Sequence, residues 1–352
     1  MQNTNTLRAA IIGAGAPRPA EGSFEGFSIG WSHAAAYREL GIEVVAIADI
    51  SPTNADALAT ETGARAYGDH ATMLREERID VLSVSTWPTL HVEMALDAAS
   101  RGVSTILVEK PLAADLPSVD DLSGRLGETR VFVNHQRRFE QPFTGARRFI
   151  ADGHLGAVLA VDAVTGHGWD LMSWGTHWVD MARFLADAPA PAWVFGAMDL
   201  RGAVRYGHLV EHEGILQFDL GAGRAATVST GHRLQSIGIT VLGERGTLRL
   251  ADGTVTLLAD EQTDHGLREE YWPADEGFAR DGIASAIRES LEATAEGRPS
   301  GIDLDQGGIA LEIILAGYAS AQRGGLVAMP LADRSVSLVP ALEISEPGTA
   351  RD

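Results

Sequence analysis

Between Leu7 and Val133 the chain alternates short apolar, β-branched runs with longer segments of helical periodicity, and this alternation restricts the fold more than any other feature. Leu7–Ile12 runs into Gly13-Ala14-Gly15, a helical pattern begins at Ser32 and stops near Gly41, and Glu43–Asp49 is a second apolar strand closing on an acid. The pattern continues with Ser51–Gly63 (helix), Asp69–Glu77 (short helix), Asp80–Thr86 (strand), Leu90–Gly102 (helix), Thr105–Glu109 (strand), Ser118–Leu126 (helix) and Arg130–Val133 (strand). Strands that are apolar on both faces, with helices between them, specify a parallel, doubly wound α/β sheet covered on both sides.

After Asn134 the pattern changes. Helical stretches at Phe143–Ala151 and Gly175–Ala186 are followed by alternating strand-like runs at Gly214–Leu220, Arg224–Thr230, Ser236–Leu242 and Thr247–Leu250, with Val158–Val164 lying between the two helices. The expectation is an α+β domain on a large, mainly antiparallel open sheet, with late helices at Ile283–Glu296 and Gln306–Gln322. A length of 352 residues accommodates two cores. The expected division is a nucleotide-binding domain at 1–134, a substrate-binding and oligomerisation domain at 135–340 and a tail at 341–352.

A strand, a Gly13-x-Gly15 turn and a helix form the entrance of a dinucleotide-binding unit, because the turn lets backbone approach a pyrophosphate that then meets the positive end of the helix. A proline-, glycine- and glutamate-rich insertion, Ala16–Ser28, separates this turn from Gly30, the candidate third glycine. Asp49 ends the next strand 19 residues beyond Gly30, near the ~20 expected of a ribose-binding acid. That carboxylate accepts from both ribose hydroxyls and repels a 2′-phosphate, and no Arg or Lys lies between Ile50 and Asn54. NAD(H) is therefore expected over NADP(H). The alternative role for Asp49 is to cap the following helix, where Ser51 competes for the same position. Thr86, Trp87 and His91, in the loop after the fourth strand, lie at a carboxyl edge where ligands of such sheets bind.

Lys110 is the only lysine among 28 Lys and Arg residues. It follows a buried strand and precedes Pro111. An ammonium can release its proton when desolvated whereas a guanidinium cannot, so proton transfer is the natural reason to keep a lysine here.

The net charge of −20 argues against a broad nucleic-acid or anionic-membrane surface. The absence of cysteine excludes disulfides and thiol nucleophiles. No signal-like opening or membrane-length apolar run is present, so a cytoplasmic location and no membrane association are expected. His208-x-x-Glu211-His212 has an inverted zincin spacing, but Gly202, Gly207, Gly214 and a following strand deny it the long helix such a site needs. No metal is expected.

The glycine turn, EVVAIAD, STWPTLH, VEKPL and the downstream GTHWVD together resemble the Gfo/Idh/MocA oxidoreductases over roughly Leu7–Pro330. The resemblance implies a Rossmann domain, a mixed-sheet domain and hydride transfer between a nicotinamide and a carbinol or carbonyl of a sugar, sugar derivative or cyclitol, often in dimers or tetramers. It further implies that Lys110 of Glu109-Lys110-Pro111, an element beside the cofactor, bonds the reacting oxygen. By the same resemblance, His177 would exchange the hydroxyl proton. Asp180 is a further site acid, and Arg137 or Arg138 lines the sugar pocket. Trp169 and Trp174 flank His177, and aromatic faces stack on the apolar side of sugar rings.

One departure stands out. The family places an aspartate four residues before the histidine, and here that position is Ser173, with Asp170 out of register. Loss of that carboxylate removes a group that raises histidine basicity, leaving Lys110 and His177, with Ser173 at most a hydrogen-bond donor. Two rival readings accompany the dehydrogenase: redox-assisted glycoside cleavage with tightly bound NAD, and a nicotinamide-binding regulator without turnover.

Overall fold

The computed structural model describes residues 7–17, 29–201, 203–251, 254–259, 270–272 and 282–340. Most of the Ala16–Ser28 insertion and the 341–352 tail lie outside the described residues. Six strands, β1 (Arg8–Ile12), β2 (Glu43–Ala48), β3 (Arg65–Tyr67), β4 (Val81–Val84), β5 (Thr105–Val108) and β6 (Arg130–Val133), form one wholly parallel sheet in the order β3-β2-β1-β4-β5-β6. Strand order reverses between β1 and β4, which opens a crevice at their carboxyl ends. β4 and β5 are buried at every residue, as a sheet covered on both faces requires.

Helices α1 (Ile29–Glu39), α2 (Pro52–Thr62), α3 (His70–Glu76), α4 (His91–Ser100) and α5 (Leu116–Arg125) connect these strands. The boundaries of α2, α3 and α5 follow capping chemistry. Ser51 accepts from the Asn54 amide ahead of Pro52, and Gly63 closes α2 in the left-handed region. Asp69 and Asp115 cap α3 and α5 in the same way. Ser51, not Asp49, is thus the cap of α2.

The second half builds α6 (Gln141–Ala151), β7 (Val158–Thr165), α7 (Thr176–Ala186), β8 (Trp193–Met198), the hairpin β9 (Ala203–Arg205) and β10 (His208–Val210), then β11 (Glu213–Gly221), β12 (Arg224–Gly231), β13 (Ile237–Gly243), β14 (Gly246–Ala251) and β15 (Thr254–Ala259). Helices α8 (Gly282–Glu296) and α9 (Leu304–Arg323) and the short β16 (Val327–Ala328) follow. The eight-stranded sheet runs β15-β14-β13-β7-β12-β11-β8-β16, and β7–β12 is its parallel pair in an otherwise antiparallel array. One face packs Leu216, Phe218, Val228 and Val241 against Met181, Leu185 and Ile314 of α7 and α9.

Helix α8 follows the second sheet in sequence but packs on the first. Ile283, Ala284 and Ile287 share a core with Tyr37 of α1, Leu107 of β5 and Phe132 of β6. The chain therefore recrosses to cover a face that the first five helices leave open. Among the described residues no helix is long and apolar enough to cross a membrane.

Candidate active site

The glycine turn sits in the crevice between β1 and β4. Gly13 and Gly15 have φ of 93° and 68°, left-handed values that favour glycine. A Cβ at Gly13 would lie 2.7 Å from the Ser85 carbonyl oxygen, and one at Gly30 would lie 2.4 Å from that of Gly13. Gly30 thus lets the first turn of α1 abut the glycine turn directly, the close helix–turn packing a pyrophosphate cradle needs. Asp49 Oδ2 accepts the Gly15 amide at 3.0 Å, which places a carboxylate beside the turn. Thr86 borders the same turn, its methyl 3.0 Å from a Gly13 Cβ position. These residues fit a dinucleotide.

Trp87 stands further out. It is 56% exposed and meets the Tyr206 ring edge-on at 6.5 Å, so the loop after β4 touches the β9–β10 hairpin. His91 is fully buried, with Nδ1 on the Pro111 carbonyl and Nε2 on the Thr86 carbonyl, both at 3.0 Å. It ties the loops after β4 and β5 together, both ring nitrogens being spent on backbone carbonyls.

Glu109 is likewise buried and committed. Oε1 accepts from His33 Nε2 at 3.0 Å and Asn134 Nδ2 at 2.6 Å, and Oε2 accepts the Lys110 amide at 3.2 Å. Burial raises its carboxyl pKa, but His33, Lys110 and Asn134 outweigh burial and hold it down at about 2. His33 also meets Ser83 Oγ, which bonds Tyr37. The Glu109 carboxylate is thus a brace beneath the lysine.

Lys110 leaves this brace through a cis peptide to Pro111 and sends Nζ to the Ser173 carbonyl oxygen, 2.9 Å away. Desolvation lowers its pKa, as does Arg137, while Glu109 and Asp170 oppose the shift. Ser173 therefore meets the lysine through its backbone oxygen. Its hydroxyl is buried without a protein partner.

The carbonyl is aimed by a π turn, Leu171–Gly175, that leads into α7. Asp170 caps it: Oδ1 accepts the Ser173 amide at 2.7 Å, and the Asp170 carbonyl accepts from Trp174 and Gly175. The Asp170 side chain also pairs with Arg205 at 2.6 Å and so supplies no free carboxylate to the site.

His177, on the first turn of α7, is buried among Trp174 (ring centroids 5.6 Å apart) and His135 (6.5 Å), with Nδ1 unpartnered. Burial, then Lys110, Arg137 and His135, push its pKa far below the ordinary value, so it is neutral at neutral pH. Arg137 stacks over Trp174 at 4.6 Å and pairs with Glu140 at 3.1 Å; its Nε has no partner. These groups line one wall.

Behind that wall, Arg138 and Asp180 bond each other in a bidentate pair at 2.8 and 2.7 Å, with Asp180 buried and 3.8 Å from His135 Nδ1. Trp169 is half-buried under the Arg205 guanidinium, 5.2 Å from its ring. Sequence reasoning missed His33, Asn134 and His135. The first was visible as a polar residue on the buried face of an alanine-rich helix, and the other two as the polar residues directly after β6. Among the described residues no cluster of three or more His, Asp or Glu side chains is placed to hold a metal.

Residues 7–135 match a family described as the Gfo/Idh/MocA oxidoreductase family, NAD-binding Rossmann fold, and residues 160–329 match its C-terminal alpha/beta domain. An inositol 2-dehydrogenase 3 of Saccharopolyspora erythraea is 25% identical over 94% of this chain and 97% of its own length. An inositol 2-dehydrogenase of Rubrobacter xylanophilus is 24% identical over 61% of this chain, and the match spans 65% of that protein. The WlbA dehydrogenase of Chromobacterium violaceum, solved with NADH and UDP-GlcNAcA, superposes with a TM-score of 0.77 at 20% identity over 94% of this chain and 98% of its own.

Proposed function

Because the chain belongs to the Gfo/Idh/MocA family of NAD-binding oxidoreductases, we propose that it transfers a hydride between NAD(H) and one CH–OH carbon of a sugar, sugar derivative or cyclitol, with Lys110 and His177 handling the hydroxyl proton. The observation that carries this reading is the chain's single lysine, partly buried, fixed on the Ser173 carbonyl and close enough to a neutral His177 to depress its basicity.

Gly13, Gly15 and Gly30 would hold the pyrophosphate and Asp49 the ribose, exchanging its bond to the Gly15 amide for the hydroxyls. When bound, the nicotinamide supplies the hydride acceptor or donor at its C4. The protein supplies orientation and a proton path. Lys110, less basic than an exposed lysine, donates a hydrogen bond to the reacting oxygen. His177, neutral at physiological pH, accepts the proton released as the hydroxyl becomes a carbonyl and returns it in the reverse direction. Trp174, packed under Arg137, offers an aromatic wall to the ring.

The carboxylate of Asp49 supports NAD(H) over NADP(H). The helix-free face of the eight-stranded sheet, where Leu159 and Ile215 remain exposed, supports self-association through that face.

The test is a panel of sugars, sugar acids and cyclitols followed at the reduced-nicotinamide absorbance band, with NAD and NADP side by side. Turnover of at least one polyol with NAD, lost in Lys110→Ala while NADH still binds, is the expected result. No turnover across the panel, or a Lys110→Ala enzyme as active as wild type, overturns the reading.

A further inference from the structure

We propose that Glu211 is a positioning residue for the hydride-transfer site, holding the π turn Leu171–Gly175 so that the Ser173 carbonyl stays under Lys110. This rests on the oxidoreductase reading above. Glu211 follows β10 directly, and only 4% of its surface is accessible.

Its carboxylate gathers three donors from three elements. Oε1 accepts the Leu171 amide at 2.8 Å, from the first residue of the π turn, and the Thr230 hydroxyl of β12 at 2.7 Å. Oε2 accepts a short hydrogen bond from the Tyr318 hydroxyl of α9, and that hydroxyl in turn receives the Glu211 amide at 3.2 Å. Two carboxylates therefore hold the turn by its free amides, Glu211 at Leu171 and Asp170 at Ser173. One residue, Met172, separates Leu171 from Ser173, whose carbonyl receives Lys110.

Among the described residues no cation pairs with Glu211. The charged and titratable groups around it are Asp170, itself paired with Arg205, and Tyr318; His208 of β10, whose Nε2 is buried without a partner, lies on the Asp170–Arg205 side. Burial, and then the nearby Asp170, push the Glu211 carboxyl up to about 7, against the pull of Thr230 and Tyr318. All three side-chain and turn partners are donors, so the ionised carboxylate grips the turn best. The protonated form must direct its own hydrogen at the Tyr318 hydroxyl and loses one of those bonds. The turn is thus firmest above neutrality.

The test compares wild type, Glu211→Gln and Glu211→Asp for the pH profile of kcat, the KM of the polyol that the panel turns over fastest, NADH affinity, and the NMR resonance of [13Cε]lysine, which in this chain reports Lys110 alone. Glu211→Gln is expected to lower kcat between about 10- and 100-fold at pH 8, the size of effect seen when a reacting geometry shifts by about an ångström. NADH affinity should stay within about twofold, the near-neutral limb of the kcat profile should disappear, and the Lys110 resonance should move. Glu211→Asp should recover part of kcat and restore a titrating limb.

A Glu211→Gln enzyme with the wild-type profile and an unmoved Lys110 resonance overturns the proposal. If that variant does not fold, Tyr318→Phe removes a single donor and must shift the near-neutral limb and the Lys110 resonance; no change in either overturns it equally. Should wild type turn over nothing in the panel, the oxidoreductase reading fails, and the lysine resonance still decides whether Glu211 places Lys110.

Discussion

The ammonium of Lys110, at the carboxyl end of the parallel sheet, donates to the Ser173 carbonyl at the start of a helix that packs on the other sheet, across 2.9 Å. The candidate chemistry lies on the seam between the two halves of the molecule. A lysine held this way can shift its proton in response to what binds beside it, and an arginine in its place cannot. Lys110→Arg is expected to lower kcat on the order of 10²–10⁴-fold, the usual contribution of a positioned acid or base. NADH affinity, measured by fluorescence quenching, should change little.

Ser173 stands where the resemblance to the family implies an aspartate, and its hydroxyl is buried without a partner. A carboxylate there would add negative charge close to Lys110 and to a His177 whose basicity is depressed by burial and then by Lys110 and Arg137. Ser173→Asp should therefore raise the His177 pKa and move the acidic limb of the kcat profile to higher pH. The pH–rate profile checks it.

Gly30 carries a steric prediction. A Cβ there would lie 2.4 Å from the Gly13 carbonyl oxygen, so Gly30→Ala must push α1 away from the glycine turn. The expected cost is about 1–3 kcal/mol of stability, with a larger proportional loss of NADH affinity than of affinity for the polyol. Urea denaturation and NADH titration together separate the two effects.

Two buried glutamates pull stability in opposite directions with pH. Glu109 has its carboxyl held at about 2 against an ordinary 4.5. It contributes stability above pH 4.5 that is lost as pH falls toward 2, roughly 3 kcal/mol in all. Glu211, raised to about 7, contributes stability below pH 4.5 that is lost as pH rises to 7, by a similar amount of about 3 kcal/mol. Relative to wild type, Glu211→Gln should lose its disadvantage as pH climbs from 5 to 8. Urea midpoints at a series of pH values measure this.

Removing one member of the Arg138–Asp180 pair leaves its partner buried and uncompensated. Asp180→Leu should destabilise the fold by about 3–5 kcal/mol, whereas a substrate-binding acid would show its loss mainly in KM. Stability and KM measured on the same variant distinguish the two.

The parallel sheet was legible because its longer strands are short apolar runs, β1 meeting a glycine and β2 and β5 an acid, and because α2, α3 and α5 start at the caps Ser51, Asp69 and Asp115. β3, β8, the three-residue β9 and β10, β15 and β16 were not anticipated. β3 and β16 are only three and two residues long, and β8 and β15 carry too little alternation to stand apart from loops. The return of α8 to the first sheet depends on which apolar face is left uncovered, a property of the assembled fold that local pattern does not carry. In the site, Lys110 and His177 could be read from type and spacing. Arg138 and Asp180 could not be recognised as each other's partner, because residues 42 apart in sequence meet only through packing. The π turn was equally hidden, since one inserted residue leaves no compositional mark. It is what places a carbonyl, instead of the Ser173 side chain, under the lysine.

The most direct test of the account is a pH titration of the [13Cε]lysine resonance with and without NADH. Because Lys110 is the single lysine, one signal reports it. The account predicts a midpoint clearly below the ordinary 10.5 and a resonance that moves when NADH binds. A midpoint at 10.5, indifferent to NADH, would contradict it.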